Sequence, residues 1–177
     1  MRELGKPAES YFFVGMLTGE KDLFARAIEK LDHFFGPVLR ETEPVSWKHS
    51  SYYEEELGNN VLRKFVFYAR PVDQIDLVEA KKITMEVEIK LGRGITGETL
   101  RRINIDPGCM TQAKLVLASS KDFSHRIYIG GGVHAEVTLY FKDESFRPFF
   151  YTYQDYKDEK NISLFNAVRK EYFSKKC

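Results

Sequence analysis

Cysteine is scarce in this chain of 177 residues: Cys109 and Cys177 are the only two. Without paired spacing they make neither a disulfide scaffold nor a zinc knuckle, and the expected compartment is a reducing cytoplasm. An excess of charge of one sign is also missing, with 27 Lys and Arg against 26 Asp and Glu. A formal charge of +1 supplies no global attraction to nucleic acid or to an anionic membrane, which argues against both as partners. No apolar run approaches the roughly 20 residues that span a bilayer, and Tyr11 to Leu17 is too short and wrongly flanked for a signal peptide. There is no internal repeat and no low-complexity linker, so a chain of this length is expected to form one domain over residues 1–177.

What is present is a succession of short apolar patterns. Tyr11 to Leu17 is nearly continuous, as in a central strand covered on both faces. Thr18 is placed to cap a helix from Glu20 to Phe35, in which Leu23, Phe24, Ala27, Ile28, Leu31, Phe34 and Phe35 recur at helical spacing before the Gly36-Pro37 stop. Val38 to Val45 suits a second strand and Arg63 to Arg70 a third. Between them Trp47 to Asn60 suits a long loop or short helix, a kind of segment that often carries function. Asp73 to Leu91 carries two periods: helical spacing through Ile75, Val78, Lys82 and Met85, and strict alternation from Ile83 to Leu91. We take it as a helix, with a break into strand near Lys82 as the alternative. Arg101 to Ile105 is expected to be a fourth strand that projects Arg102, Asn104 and Asp106 together and ends in a type II turn at Asp106-Pro107-Gly108. Lys114 to Ser119 suits another strand, with helix as a competitor, and Asn161 to Phe173 an amphipathic helix. The expected fold is α+β: a ferredoxin-like β-α-β-β-α-β core extended by a β-hairpin and a C-terminal helix packed on one side.

The hairpin turns at Gly130-Gly131-Gly132 and concentrates polar chemistry. A three-residue loop pairs Ile129 with Val133, Tyr128 with His134, Ile127 with Ala135 and Arg126 with Glu136. Arg126, Tyr128, His134, Glu136 and Thr138 then share one face, where Arg126 can anchor an anion and His134 can act as a base oriented by Tyr128 or Glu136. The competing reading is a solvated sheet face with an ordinary Arg126–Glu136 ion pair. His125 falls at the strand edge, and Asp106 would cap its own turn. An enzyme requires Arg126, Tyr128, His134 and at least one of Tyr53, Glu55 or Asp106 to line one concave pocket.

Other motifs fail on chemistry. Gly92 to Thr99 has dinucleotide-like glycines but puts Glu98 where a phosphate loop needs lysine, and it is expected to be a helix C-cap and loop. His134-Ala135-Glu136 lacks the partner P-C-x-x-C of a zinc deaminase, and His49-Ser50-Ser51 has no second copy, so no metal site is expected. The aromatic tract Phe146 to Tyr156, with Lys142, Arg147 and Lys157, could stack bases, but its acidic neighbours interrupt any basic track.

With Asn104-Ile105-Asp106-Pro107-Gly108, the run from Lys114 to Gly130, and Ala135-Glu136-Val137-Thr138-Leu139, the chain resembles a prokaryotic family catalogued as domain-of-unknown-function family 4416. The resemblance covers nearly the whole chain, including Phe13-Val14-Gly15, Tyr52 to Gly58 and the Tyr153 region. Members of that family often carry the automatic name GTP-binding protein, so the resemblance implies a nucleotide as a candidate ligand. The chain has no intact phosphate loop and no N-K-x-D motif, and a nucleotide would use a different pocket. Carried over by the resemblance, the candidate site residues are Tyr52, Tyr53, Glu55, Asn104, Asp106, His125, Arg126, Tyr128 and Glu136. The expected function is binding or hydrolysis of a small anionic, nucleotide-like ligand, with His125 or His134 as acid-base and Asp106 and Glu136 as orienters. The alternative is a non-enzymatic protein or RNA interaction module built on the Tyr52 to Gly58 loop and the Phe146 to Tyr156 tract. No cofactor, nucleophile or oligomeric state is indicated.

Overall fold

A computed structural model describes residues 5–48, 54–57, 60–95 and 98–174. Its middle strand is the run that is apolar on both faces: β1, Ser10–Thr18, is buried at every position. Antiparallel to it on either side lie β4 (Leu62–Val72) and β7 (Asn104–Met110). Outside β4 come β2 (Val38–Glu41) and β3 (Val45–Ser46); outside β7 come β8 (Lys114–Ser119), β10 (Val133–Lys142) and β11 (Ser145–Pro148), with β9 (Ile127–Gly130) also on β10. The result is a mixed α/β architecture on an open antiparallel sheet of nine strands, larger than the four-stranded core expected.

Period-two alternation divides β1 between two cores. Phe12, Val14 and Met16 pack with Val66, Tyr68 and Ile105 under α1 (Asp22–Phe35) and α3 (Leu77–Leu91). Tyr11 and Phe13 pack with Phe65, Phe67 and Met110 under Phe165, Val168 and Tyr172 of α5 (Glu159–Phe173). Helix α1 buries Leu23, Phe24, Ala27, Leu31 and Phe35 as one stripe and stops at Gly36, whose φ of 88° suits glycine. Thr18 does not cap α1; its hydroxyl accepts from the Glu20 N–H and donates to the Arg102 carbonyl, bracing the turn before the helix. Between Val38 and Val45, β2 stops at Glu41 and β3 starts at Val45, so the expected single strand is broken.

Two periods compete in α3, and the helical one prevails because a different stripe is buried. Leu77, Ala80, Lys81, Thr84, Val87, Glu88 and Leu91 face inward, whereas Ile75, Met85 and Ile89 are exposed. Of the helically spaced set Ile75, Val78, Lys82 and Met85, Val78 packs partly buried against the core, whereas Ile75, Lys82 and Met85 face outward. After α3, residues Arg93–Ile95 and Glu98–Leu100 form a two-stranded hairpin (β5 and β6), not a plain loop. The Asp106-Pro107-Gly108 turn does not form either: β7 runs straight through it. Pairing to β8 begins only at Gly108, so the proline's missing N–H falls outside that ladder. Gly108 is needed for packing, since a Cβ there would lie 2.4 Å from the Phe13 ring and 2.6 Å from the Val116 carbonyl.

In the β9–β10 hairpin, Tyr128 pairs with His134 and Ile127 with Ala135 as expected, but Val133 pairs with Gly130 instead of Ile129. Gly131 and Gly132, with φ of 59° and 78°, make a two-residue turn, and a bulge beside Gly130 absorbs the extra residue. Along the outer edge of β10, β9 covers Val133 to Ala135 and β11 covers Leu139 to Lys142. The notch between them is filled from the segment before α4 (Gln154–Lys157), where the hydroxyls of Tyr151 and Thr152 donate to the Val137 and Thr138 carbonyls at 2.9 and 2.6 Å. No described helix is long and apolar enough to cross a membrane.

Candidate functional site

Strand β7 stays on β1 from Asn104 to Met110 but on β8 only from Gly108, while β8 stays on β10 as far as Ser119. The sheet therefore forks between β7 and β8, and a cavity of about 460 Å³ opens there. Backbone groups in such a fork lose their ladder partners and must find others. Helix α3 supplies them: the Ile105 N–H donates to a Glu88 carboxylate oxygen at 2.5 Å, and Lys81, two turns earlier on the same side, brings its Nζ to 3.6 Å from Asp106. Burial pushes the Glu88 carboxyl up to about 7, although Lys81, the Ile105 N–H and Arg101 all favour its ionised form.

Three groups of side chains line the cavity. On the β7 wall, Arg101 donates to Asn104 at 2.7 Å and Asn104 to Asp106 at 2.6 Å, while Arg101 also grips both oxygens of Glu56 at 2.8 and 2.6 Å; Glu56 lies in the short helix α2 (Glu54–Leu57). Because β7 begins at Asn104 and not at Arg101, Arg102 leaves this set and pairs with Glu20. On the β10 side, Glu136 accepts from Arg126 Nε at 2.8 Å, and His125 Nε2 lies 3.1 Å from it. Arg126 donates further to Ser119, the Lys121 carbonyl and Tyr153 at 3.0, 2.9 and 2.7 Å, so four of its five N–H groups already have acceptors. The pair is not the solvated one envisaged from sequence: the Arg126 and Glu136 side chains are 9% and 1% exposed.

The third group closes the end of the cavity over β1. Arg63, 5% exposed, holds Asp155, 3% exposed, through Nη2 and Oδ2 at 2.5 Å. Its guanidinium lies 4.7 Å from the Phe65 ring centroid and 5.4 Å from that of Tyr156. Arg63 Nε and Nη1, both Asp155 carboxylate oxygens and the Tyr156 hydroxyl are buried with no hydrogen-bond partner among the described residues. Gly15 makes this closure possible: a Cβ there would stand 3.0 Å from the Tyr156 hydroxyl and 3.1 Å from the Arg63 guanidinium. Burial pulls the Arg63 pKa down, but Asp155, with Tyr156 and Asp106 behind it, together raise it by more, so the guanidinium stays charged.

Of the residues singled out from sequence, Asn104, Asp106, Arg126 and Glu136 line the cavity together. His125 stands behind Glu136, stacked on Tyr151 at 4.1 Å. His134 does not line the cavity and lies 3.6 Å from Asp122, and Tyr128 is exposed. Tyr52, Tyr53 and the His49-Ser50-Ser51 tripeptide lie outside the described residues, as does the side chain of Glu55. Sequence reasoning missed Arg63, Lys81, Arg101 and Asp155. The signal for Arg63 was parity, because period two from Phe65 and Phe67 carries it onto the same apolar face.

These features define an α+β domain with an ion-paired cavity in a fork of its sheet. The chain belongs to the family described as Domain of unknown function (DUF4416), whose match spans residues 8–172. No curated protein and no solved structure matches it.

Proposed function

We propose that the forked cavity binds a small ligand through an anionic group of low charge. The observation that carries this reading is Arg63, a buried cation at the cavity's end with three N–H groups, on Nε and Nη1, that no described residue accepts. The cavity volume falls in the range of small-molecule sites. Arg63, Lys81, Arg101, Lys121 and Arg126 face four carboxylates, Asp106, Glu136 and Asp155 in the wall and Glu56 on Arg101, together with the Glu88 carboxyl, which burial raises to about 7. Such a near-balance suits a mono- or dianion better than a triphosphate, whose charge would meet little net positive field. Hydrolysis has less behind it: His134 and Tyr128 do not line the cavity, and the Cys109 thiol packs under α1 and α3, with burial pushing its pKa up to about 12.

The finer fold reading also belongs to this proposal. The order β7-β1-β4-β2, antiparallel throughout and with α1 and α3 on one face, supports a ferredoxin-like unit at the centre of the larger sheet. The rival function, an interaction module, draws support from Phe123, Ile127, Tyr128 and Phe150, which are exposed large apolar side chains, Phe150 at 91%. Much of the Phe146 to Tyr156 tract is nevertheless committed to the fold, with Phe146 and Tyr156 fully buried.

Thermal shift decides between them, because a ligand that binds only the native state stabilises it by about 2.7 kcal/mol at 100 times its Kd. Inorganic phosphate, small carboxylates and GTP with Mg²⁺ are the probes. At least one singly or doubly charged anion is expected to raise Tm, and Arg63→Lys to weaken that response. No shift with any of them, nor with free amino acids, at millimolar concentration would refute the binding reading.

A further inference from the structure

We infer that the ligand of this cavity is a small zwitterion of the α-amino-acid type, its carboxylate held by Arg63 and Tyr156 and its ammonium group by Asp155. The inference rests on the anion-binding reading above and specifies the occupant.

The reason lies in what the Arg63–Asp155 pair leaves unused. One ion-pair contact, Nη2 to Oδ2, joins them, while Arg63 Nε and Nη1 lack acceptors and neither Asp155 carboxylate oxygen has a hydrogen-bond donor. Unused donors and unused acceptors therefore stand on adjoining groups, both more than nine-tenths buried. A simple anion would accept from Arg63 but leave the Asp155 carboxylate without a donor, and it would bring a second negative charge beside a desolvated carboxylate. A simple amine would donate to Asp155 and leave the Arg63 donors without acceptors. A carboxylate and an ammonium group on one carbon meet both needs and add no net charge to a cavity whose cations its carboxylates already nearly balance. Burial keeps the Tyr156 phenol protonated, so its unpartnered hydroxyl can donate to the same ligand carboxylate. Leu17 and Trp47 line this end of the cavity and offer apolar surface to a side chain.

The test compares matched probes by thermal shift and calorimetry on the full chain: the free L-amino acids, the 2-hydroxy acids that replace the ammonium group by hydroxyl, the corresponding amines without carboxylate, and inorganic phosphate. At least one amino acid is expected to bind about 10- to 100-fold more tightly than its hydroxy-acid and amine counterparts, the loss that follows one charged hydrogen bond left unmade in a buried site. Asp155→Asn should bring the amino acid and hydroxy acid together in affinity, and Arg63→Lys should weaken both. If Asp155→Asn fails to fold, the comparison on the unmodified protein decides alone. A hydroxy acid or phosphate that binds as tightly as any amino acid would overturn this inference while leaving the anion site standing. No binding by any of the four probe classes would sink both.

Discussion

Replacing Glu88 by Gln should change how stability depends on pH, with a sign and size set by the fork. Burial raises the Glu88 carboxyl from its ordinary value near 4.5 to about 7. The folded state therefore holds this proton at pH values where the unfolded chain has lost it. Stability falls as pH rises from about 4.5 through 7, and above 7 the full cost of an ionised, desolvated carboxylate is present, about 3 kcal/mol. Glutamine keeps an oxygen that can accept from the Ile105 N–H and carries no charge, so it escapes this loss. Denaturant unfolding of both proteins from pH 5 to 8 should show the variant gaining on the parent, with most of the gain reached by pH 8. Taking the difference between the two curves cancels groups common to both, including Glu20, whose carboxyl Arg102 holds below the usual range. Parallel curves, within about 0.5 kcal/mol across the range, would refute the claim that Glu88 is desolvated in the fork.

Asp155→Ala should cost about 3 to 5 kcal/mol by leaving the Arg63 guanidinium buried without its counter-ion, read as a lower denaturation midpoint at unchanged m-value. Gly108→Ala should cost about 1 to 3 kcal/mol or more, because the Phe13 ring and the Val116 carbonyl cannot both yield to a new Cβ; a stability equal to the parent's would contradict the packing described. Tyr151→Phe should cost about 1 kcal/mol and raise amide exchange at the outer edge of β10, where the lost hydroxyl no longer reaches the Val137 carbonyl. In a Cys177→Ser background, Cys109 should resist iodoacetamide at pH 8 until the chain unfolds, since its thiol is buried and titrates near 12; rapid labelling of the native protein would count against its burial.

Much of this fold could be read from periodicity, and its errors share one cause. The continuous apolar run of β1, the stripe and glycine stop of α1, and the bounds of β8 follow from local pattern alone. The type II turn expected at Asp106-Pro107-Gly108 failed because local turn chemistry yielded to a neighbouring strand: β1 pairs along all of β7, and Phe13 needs the space over Gly108. The inward face of α3 was misjudged because Lys81 and Glu88, polar by type, are buried where they serve the fork. Parity in the hairpin brought Tyr128 opposite His134, yet the position of a bulge within three glycines is set by twist and turn geometry that residue types do not encode.

By itself, then, the sequence determined the class of fold, the central strand, the helix stripes and four of the side chains that meet in the cavity, Asn104, Asp106, Arg126 and Glu136. It could do so because alternation and helical spacing are local properties of the chain. Only the tertiary structure decided that β7 and β8 part beyond Gly108, that Arg126 is already occupied by four acceptors, and that Arg63 meets Asp155 from 92 positions away. Those outcomes depend on which strands become neighbours and where their ladders end, and that is settled by packing across the whole sheet rather than within any one segment.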